Sequence, residues 1–158
     1  MSTAQHEDNA YGDPVAMPDG PYKGWLTWGL GRDPYETHLG PFLFRPAERC
    51  EDVLCVLDPK PHHMNGAQAI HGGTLMGFAD FCLFAIAGPA MGDNTPSVTV
   101  TFNSEFLGPG DLSAPIYGRG RLLKATRSMV FVQGQLEQNE TPILAFSGTL
   151  KKLRRPTG

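Results

Sequence analysis

Asp80 stands inside a run of apolar and small residues from Leu75 to Ala87. A helix that is apolar on every side is taken into the interior of a fold. A carboxylate buried there costs roughly several kcal/mol unless it is paired or hydrogen-bonded. Nothing basic lies within a helical turn of Asp80, so it is either a structural hydrogen-bonder or a reacting group. Just upstream, His71-Gly72-Gly73 opens the same run. Glycines at a helix start leave backbone N–H groups unshielded, able to meet a ligand oxygen. An acid and an oxyanion-binding helix start on one element point to acyl chemistry; a tight turn into the helix would account for the glycines alone.

Two further clusters could do chemistry. His62, His63 and His71 raise the possibility of a metal, but no carboxylate or cysteine set lies at matching spacing and zinc needs three or four ligands. The expectation is no metal, with His71 bonding locally to hold its loop and His62-His63 on a solvated loop. Arg119, Arg121, Lys124 and Arg127 gather near one strand end and turn. They are either a solvated edge or a patch suited to phosphates, for which arginine forks and lysine charges are fitted. On alternating positions Arg119, Arg121 and Lys124 need not share a face.

The elements that must hold these residues follow from pattern. The 158 residues are 41% hydrophobic, enough for one domain with a real core. A net charge of −3 gives no footprint for nucleic acid. The three cysteines, Cys50, Cys55 and Cys82, form no C-x-x-C, and the polar, acidic start has no apolar signal core. Both favour a reduced, cytoplasmic setting. Leu75 to Met91 approaches membrane-spanning length, but Asp80, Pro89 and several glycines interrupt it, so no membrane span is expected.

Residues 1–20 read as a poorly ordered leader, and residues 21–39 as a helical or looped extension carrying Trp25 and Trp28, broken by Gly31 and Pro34. The main domain is residues 40–155. Phe42–Phe44 and Asp52–Leu57 read as strands, His62–Ile70 as a loop, and His71 to about Ala87 as one long helix stopped by Gly88, Pro89 and Gly92. Val98, Val100 and Phe102 then alternate with polar residues, and Ile116–Lys124, Met129–Leu136 and Ile143–Leu150 complete an antiparallel meander. The class is α+β. Five or six strands must cover one helix that is apolar all round, so a curled sheet wraps it and leaves an open edge that dimerisation would cover.

Asn65, His71-Gly72-Gly73 and Asp80, in that order and spacing, resemble the Asn…His-Gly-Gly…Ala-Asp pattern of the PaaI-type acyl-CoA thioesterases of the 4-hydroxybenzoyl-CoA thioesterase superfamily. Phe106-Leu107-Gly108-Pro109 and Gly120–Lys124 are similar to segments of that family, and the resemblance runs from about Gly40 to Leu153. It implies the hotdog fold. It also implies that Asp80 serves as nucleophile or general base, that the Gly72 N–H binds the oxyanion, and that Asn65 places the carbonyl or the attacking water. A hydroxyl on the strand after the helix often assists in that family; spacing gives Thr99, with Ser97 on the same side. His71 and Gly73 would flank the substrate, and Arg121, Lys124 and Arg127 would meet the phosphates of coenzyme A.

No cofactor is implied beyond the coenzyme A of the substrate itself. The family's sites straddle a dimer interface, so a homodimer or a homotetramer of two dimers is expected. Thioester cleavage suits the residues present: a thiol with a pKa near ~8.5 leaves without a strong general acid, and one oxyanion donor is worth roughly 2.7–4 kcal/mol. Two other readings stay open. A hotdog hydratase or dehydratase would need a histidine working with the helix acid, and a non-catalytic acyl-CoA-binding module would bind without turnover. Trp25, Trp28, Phe78, Phe81 and Phe84 could line an aryl or medium-chain pocket, or be plain core.

Overall fold

The computed structural model describes residues 13–92 and 95–154. A long helix, α2 (Gly72–Met91), lies against one face of an antiparallel sheet. The sheet begins with β1 (Val15–Ala16), β2 (Leu26–Thr27), β3 (Leu43–Arg45) and β4 (Leu54–Leu57), with a short helix α1 (Pro34–Leu39) between β2 and β3. After α2 come β5 (Ser97–Phe106), β6 (Ile116–Ala125), β7 (Met129–Gln138) and β8 (Thr141–Lys152). The strand order is β1-β2-β3-β4-β6-β7-β8-β5. This is the hotdog arrangement: one helix held by a curled antiparallel sheet.

The sheet has eight strands rather than five or six. The two added ones, β1 and β2, come from the stretch read as leader and extension: Val15 pairs with Thr27, and Leu26 with Phe44. Strands of two residues carry no period-two signal to read. Pro34 opens α1 instead of ending an element. Asp33 caps it, accepting the Glu36 N–H at 3.0 Å, and proline is favoured in a first turn, where its missing N–H costs nothing. Helix α2 runs past Gly88 and Pro89 to Met91, because Ala90 and Met91 still pack on the core. Packing there outweighs a helix breaker that falls in the last turn.

The core lies between α2 and strands β4, β6, β7 and β8. Phe78, Leu83 and Ile86 of α2 are fully buried in one cluster with Cys55, Ile116, Leu136 and Leu150. Truncating one of these to alanine would cost about 2–5 kcal/mol. The helix approaches the sheet so closely that a side chain at Gly148 of β8 would strike Leu83.

Strand β5 departs from simple alternation. Its register with β8 shifts between Thr99 and Thr101, a bulge at Val100. Val98 and Val100 are therefore exposed, whereas Phe102 packs on the core. The three were expected to share a face. A bulge re-aims side chains and increases local twist; here it leaves Ser97 and Thr99 on the side that faces α2. One edge of the sheet is β5 itself, with Val98, Val100 and Phe106 exposed along it.

Candidate active site

Asp80 sits midway along α2 and Thr99 two residues into β5. The Thr99 hydroxyl donates to Asp80 Oδ1 at 2.7 Å. Desolvation holds the Asp80 carboxyl above the usual carboxylate range, and the Thr99 hydrogen bond offsets part of that by favouring the ionised form. Asp80 is half-buried and has no ion pair among the described residues. Of the two hydroxyls considered on β5, Thr99 is the one that reaches it.

The start of α2 is built from local bonds. His71 is the N-cap, its Nδ1 accepting the Gly73 N–H at 2.9 Å, and its carbonyl takes the N–H groups of Thr74 and Leu75. The Gly72 N–H is left without a partner among the described residues. A side chain on Gly72 would press on the ring of Phe106, an exposed side chain that would have to shift to admit it. Gly73 is therefore committed to the cap and Gly72 is open, as an oxyanion donor must be. Asn65 closes the preceding loop: its Oδ1 accepts the N–H groups of Ala67 at 2.8 Å and Ala69 at 3.1 Å. Its side-chain NH2 has no partner among the described residues and can donate.

His63 is not on a solvated loop. It is fully buried, with Nδ1 accepting the Lys60 N–H at 2.9 Å and Nε2 donating to the Leu39 carbonyl at 2.6 Å. Desolvation keeps it neutral, and it clips the loop before α2 to the end of α1. That long-range partner is invisible in sequence. His62 is exposed, and no group of three metal-ligating side chains occurs among the described residues.

Helix α1 covers the middle of α2. The Tyr35 hydroxyl lies over Gly77, where a Cβ would come within 2.6 Å of it. Trp28 stacks on Phe44 and meets Phe81 edge-on. Phe78 and Phe81 are core; Trp25 packs edge-on against Tyr22. Between α1, Trp28 and the second half of α2 lies a cavity of about 450 Å³, with Trp28, Glu36, Phe44, Phe84, Met91 and Ser97 in its wall. Phe84 is one turn and Gly88 two turns beyond Asp80 on the same helix face, and Ser97 flanks Thr99. The cavity lies alongside the Asp80–Thr99 pair, with neither of the two residues in its wall.

Residues 67–145, half of the chain, match the family model of the Thioesterase superfamily. The chain belongs to that superfamily. Among solved structures it is similar to a variant of the phenylacetic acid degradation protein PaaI from Thermus thermophilus, with 20% identity over 77% of this chain and 100% of that one, at a TM-score of 0.66. It is also similar to the PaaI protein of the E. coli phenylacetic acid degradation operon, with 17% identity over 77% and 86% and a TM-score of 0.66. The BH2602 protein from Bacillus halodurans, solved with CoA, shares 18% identity over 70% and 73%, with a TM-score of 0.63. These likenesses show a common fold. No curated protein sequence matches.

In this thioesterase-superfamily chain the cationic residues lie apart from Asp80. Ile116 and Gly118 of β6 face inward, and Arg119 and Arg121 face out. A register shift between Leu122 and Lys124 bulges Leu123, which brings Lys124, opposite Phe131, onto the same outer face as Arg121, opposite Gln133. Arg119 is engaged by Glu137 at 3.0 Å; Arg121, Lys124 and Arg127 have no ion pair among the described residues. One chain therefore brings Asp80 and Thr99 together on the inner side, and sets Arg119, Arg121 and Lys124 on the outer side.

Glu36, missed in the sequence reading, lines the cavity beside these groups. Desolvation, reinforced by the charges of Asp33 and Asp80, raises its carboxyl to about 8. Asp33-x-x-Glu36 reads as an ordinary helix-capping pair, which hides it in sequence.

Proposed function

We propose that the protein hydrolyses the thioester of an acyl-CoA to a free acid and coenzyme A, working as a homodimer or a pair of dimers. The observation that carries the reading is the half-buried Asp80 carboxyl, whose one hydrogen-bond partner among the described residues is Thr99. Thr99 fixes Oδ1 and leaves Oδ2 for the reaction. Asp80 takes a proton from water as the water oxygen adds to the thioester carbon, or attacks that carbon itself to give a mixed anhydride, which water hydrolyses after the thiolate has left, releasing the acid and restoring the carboxylate. The carbonyl oxygen gains the negative charge and is held by the Gly72 N–H, reinforced by the positive end of the α2 dipole. The C–S bond then breaks, the thiolate leaves, and the proton returns to it or to solvent. The CoA bound in the Bacillus halodurans relative supports the choice of leaving group.

The length of α2 supports a site shared by two subunits. Eight residues of helix separate Gly72 from Asp80, about 12 Å at 1.5 Å per residue. One carbonyl group cannot touch both. The Gly72 N–H and Asn65 amide of one chain are therefore assigned to the Asp80 of another, with the open β5 edge and its exposed Val98, Val100 and Phe106 as the joining surface. Arg121 and Lys124 of the outer face, with Arg127 of the turn that follows β6, are assigned to the CoA phosphates of a neighbouring subunit's site. A hydratase reading loses support from the histidines: both ring nitrogens of His63 are engaged, and His71 Nδ1 caps Gly73.

The test is thiol release over short, medium, long and aromatic acyl-CoAs. The parent should turn over at least one class, and Asp80→Asn should lose about a hundredfold or more with the fold kept. Binding without turnover by the parent, or near-parental turnover by Asp80→Asn, would overturn the reading.

A further inference from the structure

Glu36 is the acid that the proposed reaction leaves unused, and it is costly where it stands. In a capping box, the acid at the third helical position reaches back to the N–H of the cap residue. Only half of that box forms here. Asp33 accepts the Glu36 N–H, but the Asp33 N–H donates to the Trp28 carbonyl at 2.7 Å. The Glu36 carboxyl is turned under α1 instead, where Oε2 is buried with no hydrogen-bond partner among the described residues. The charged and titratable groups that face it are Asp33 on α1, Asp80 and the Cys82 thiol on α2, and Arg32 and Asp13 in the cavity wall. Arg32 makes no ion pair with it among the described residues. No cation offsets a charge on Glu36, so the neutral acid is the form that fits.

The helix that covers this carboxyl is pinned at its ends and lightly held between them. None of the six residues of α1 is fully buried. The Asp33 N–H bond to Trp28 fixes the start. The Leu39 carbonyl, accepting from His63 Nε2 at 2.6 Å, fixes the end. Among the described residues no hydrogen bond joins α1 to α2; the exposed Tyr35 rests over Gly77 by packing alone. Lifting α1 therefore breaks few bonds and uncovers little apolar surface. An opening of that kind costs less than unfolding the domain.

We propose that α1 is a pH-sensitive cover over the cavity beside Asp80: with Glu36 neutral it lies on α2, and with Glu36 ionised it lifts and opens the cavity to water. A charged Glu36 has no access to water while α1 is down, and Asp33 and Asp80 repel it; lifting α1 relieves both. Desolvation, with the charges of Asp33 and Asp80, puts the carboxyl at about 8 in the closed form, against 4.5 for the acid in water. The open form ionises first, so opening is favoured progressively as pH rises from about 4.5 to about 8 and levels off above that. Glu36 lies in α1, outside the segment that matches the superfamily, and the cover is independent of the reaction proposed above.

The experiment is amide hydrogen exchange of residues 33–40, read by mass spectrometry and expressed as protection relative to the unstructured chain at each pH. In the parent, protection there should fall by about tenfold or more between about pH 6 and about pH 8.5, because each pH unit in which only the open form ionises favours opening by up to about tenfold. Strands β7 and β8 should keep their protection over the same range. Glu36→Gln, which has the shape and no titration, should give a flat profile. A second readout uses Trp25→Phe, which leaves Trp28 of the cavity wall as the one tryptophan. Acrylamide quenching of its fluorescence should rise over the same pH range, and should not when Glu36→Gln is added. Unchanged protection of residues 33–40 in the parent, a fall shared by Glu36→Gln, or a fall matched in β7 and β8 overturns the cover. Each of these leaves the thioesterase reading intact, and a parent that hydrolyses no acyl-CoA leaves the cover intact.

Discussion

The start of α2 and the α1 cover over its middle treat their polar groups in opposite ways. At the start of α2, His71, Gly73, Thr74, Leu75 and Asn65 bond to one another or to residues close in the chain, and the free donors are the ones a carbonyl would need. Under α1, the capping box is half made, and a carboxyl oxygen is buried without a partner. The first region holds a geometry and the second holds an unmet hydrogen bond. The first lies at the edge of the segment shared with the superfamily and the second outside it.

Substitutions in the two regions should therefore move stability in opposite directions. Glu36→Gln should stabilise the protein. The folded-state pKa of Glu36, about 8, lies above the ordinary 4.5, so folding takes up a proton between those values and stability is lost as pH rises through that window. The advantage of the Gln variant in urea or thermal unfolding should be near zero at about pH 4 and grow to on the order of 2 kcal/mol above about pH 8, after allowance for partial exposure. A gain that does not grow with pH would mean that Glu36 is not held protonated. His71→Ala, by contrast, should destabilise by about 1 kcal/mol through the lost cap. Equal unfolding midpoints for His71→Ala and the parent would show that the cap does not hold the start of α2.

The smallest effect is expected on the outer face of β6. Phosphate contacts far from the reacting carbon form in ground and transition states alike, so Lys124→Ala and Arg127→Ala should raise KM about threefold or more with kcat little changed. The change should be clearest at low salt, and a pantetheine thioester lacking the nucleotide should be hydrolysed as by the parent. Parental KM for acyl-CoA in both variants would leave that patch a solvated edge.

Much of this was legible in the chain because the signals are local. An apolar run with two opening glycines and one acid gave α2, its buried face and the two ends of the candidate site. Period-two alternation gave the meander. Bulges were not legible: nothing in Val98, Val100 and Phe102 announces the extra residue that turns Thr99 toward Asp80, and nothing in Arg121–Lys124 announces the bulge that brings both onto one face. Thr99 was reached through the family resemblance instead. The burial of His63 depends on the Leu39 carbonyl, 24 residues away. Glu36 was hidden because its local pattern has a sufficient local explanation, which the Trp28 carbonyl defeats by taking the Asp33 N–H.

The central claim is that one site takes Asp80 from one chain and Asn65 with the Gly72 N–H from another. Mixing Asp80→Asn subunits with Asn65→Ala subunits tests it most directly, each variant being nearly inactive alone. After subunit exchange, verified by mass or by differently labelled chains, hybrid dimers contain one site with both residues intact. Thiol release from acyl-CoA should recover toward half the parental rate per hybrid dimer. Proven hybrids with no recovered activity, or an active parent that sediments as a monomer at micromolar concentration, would contradict the account.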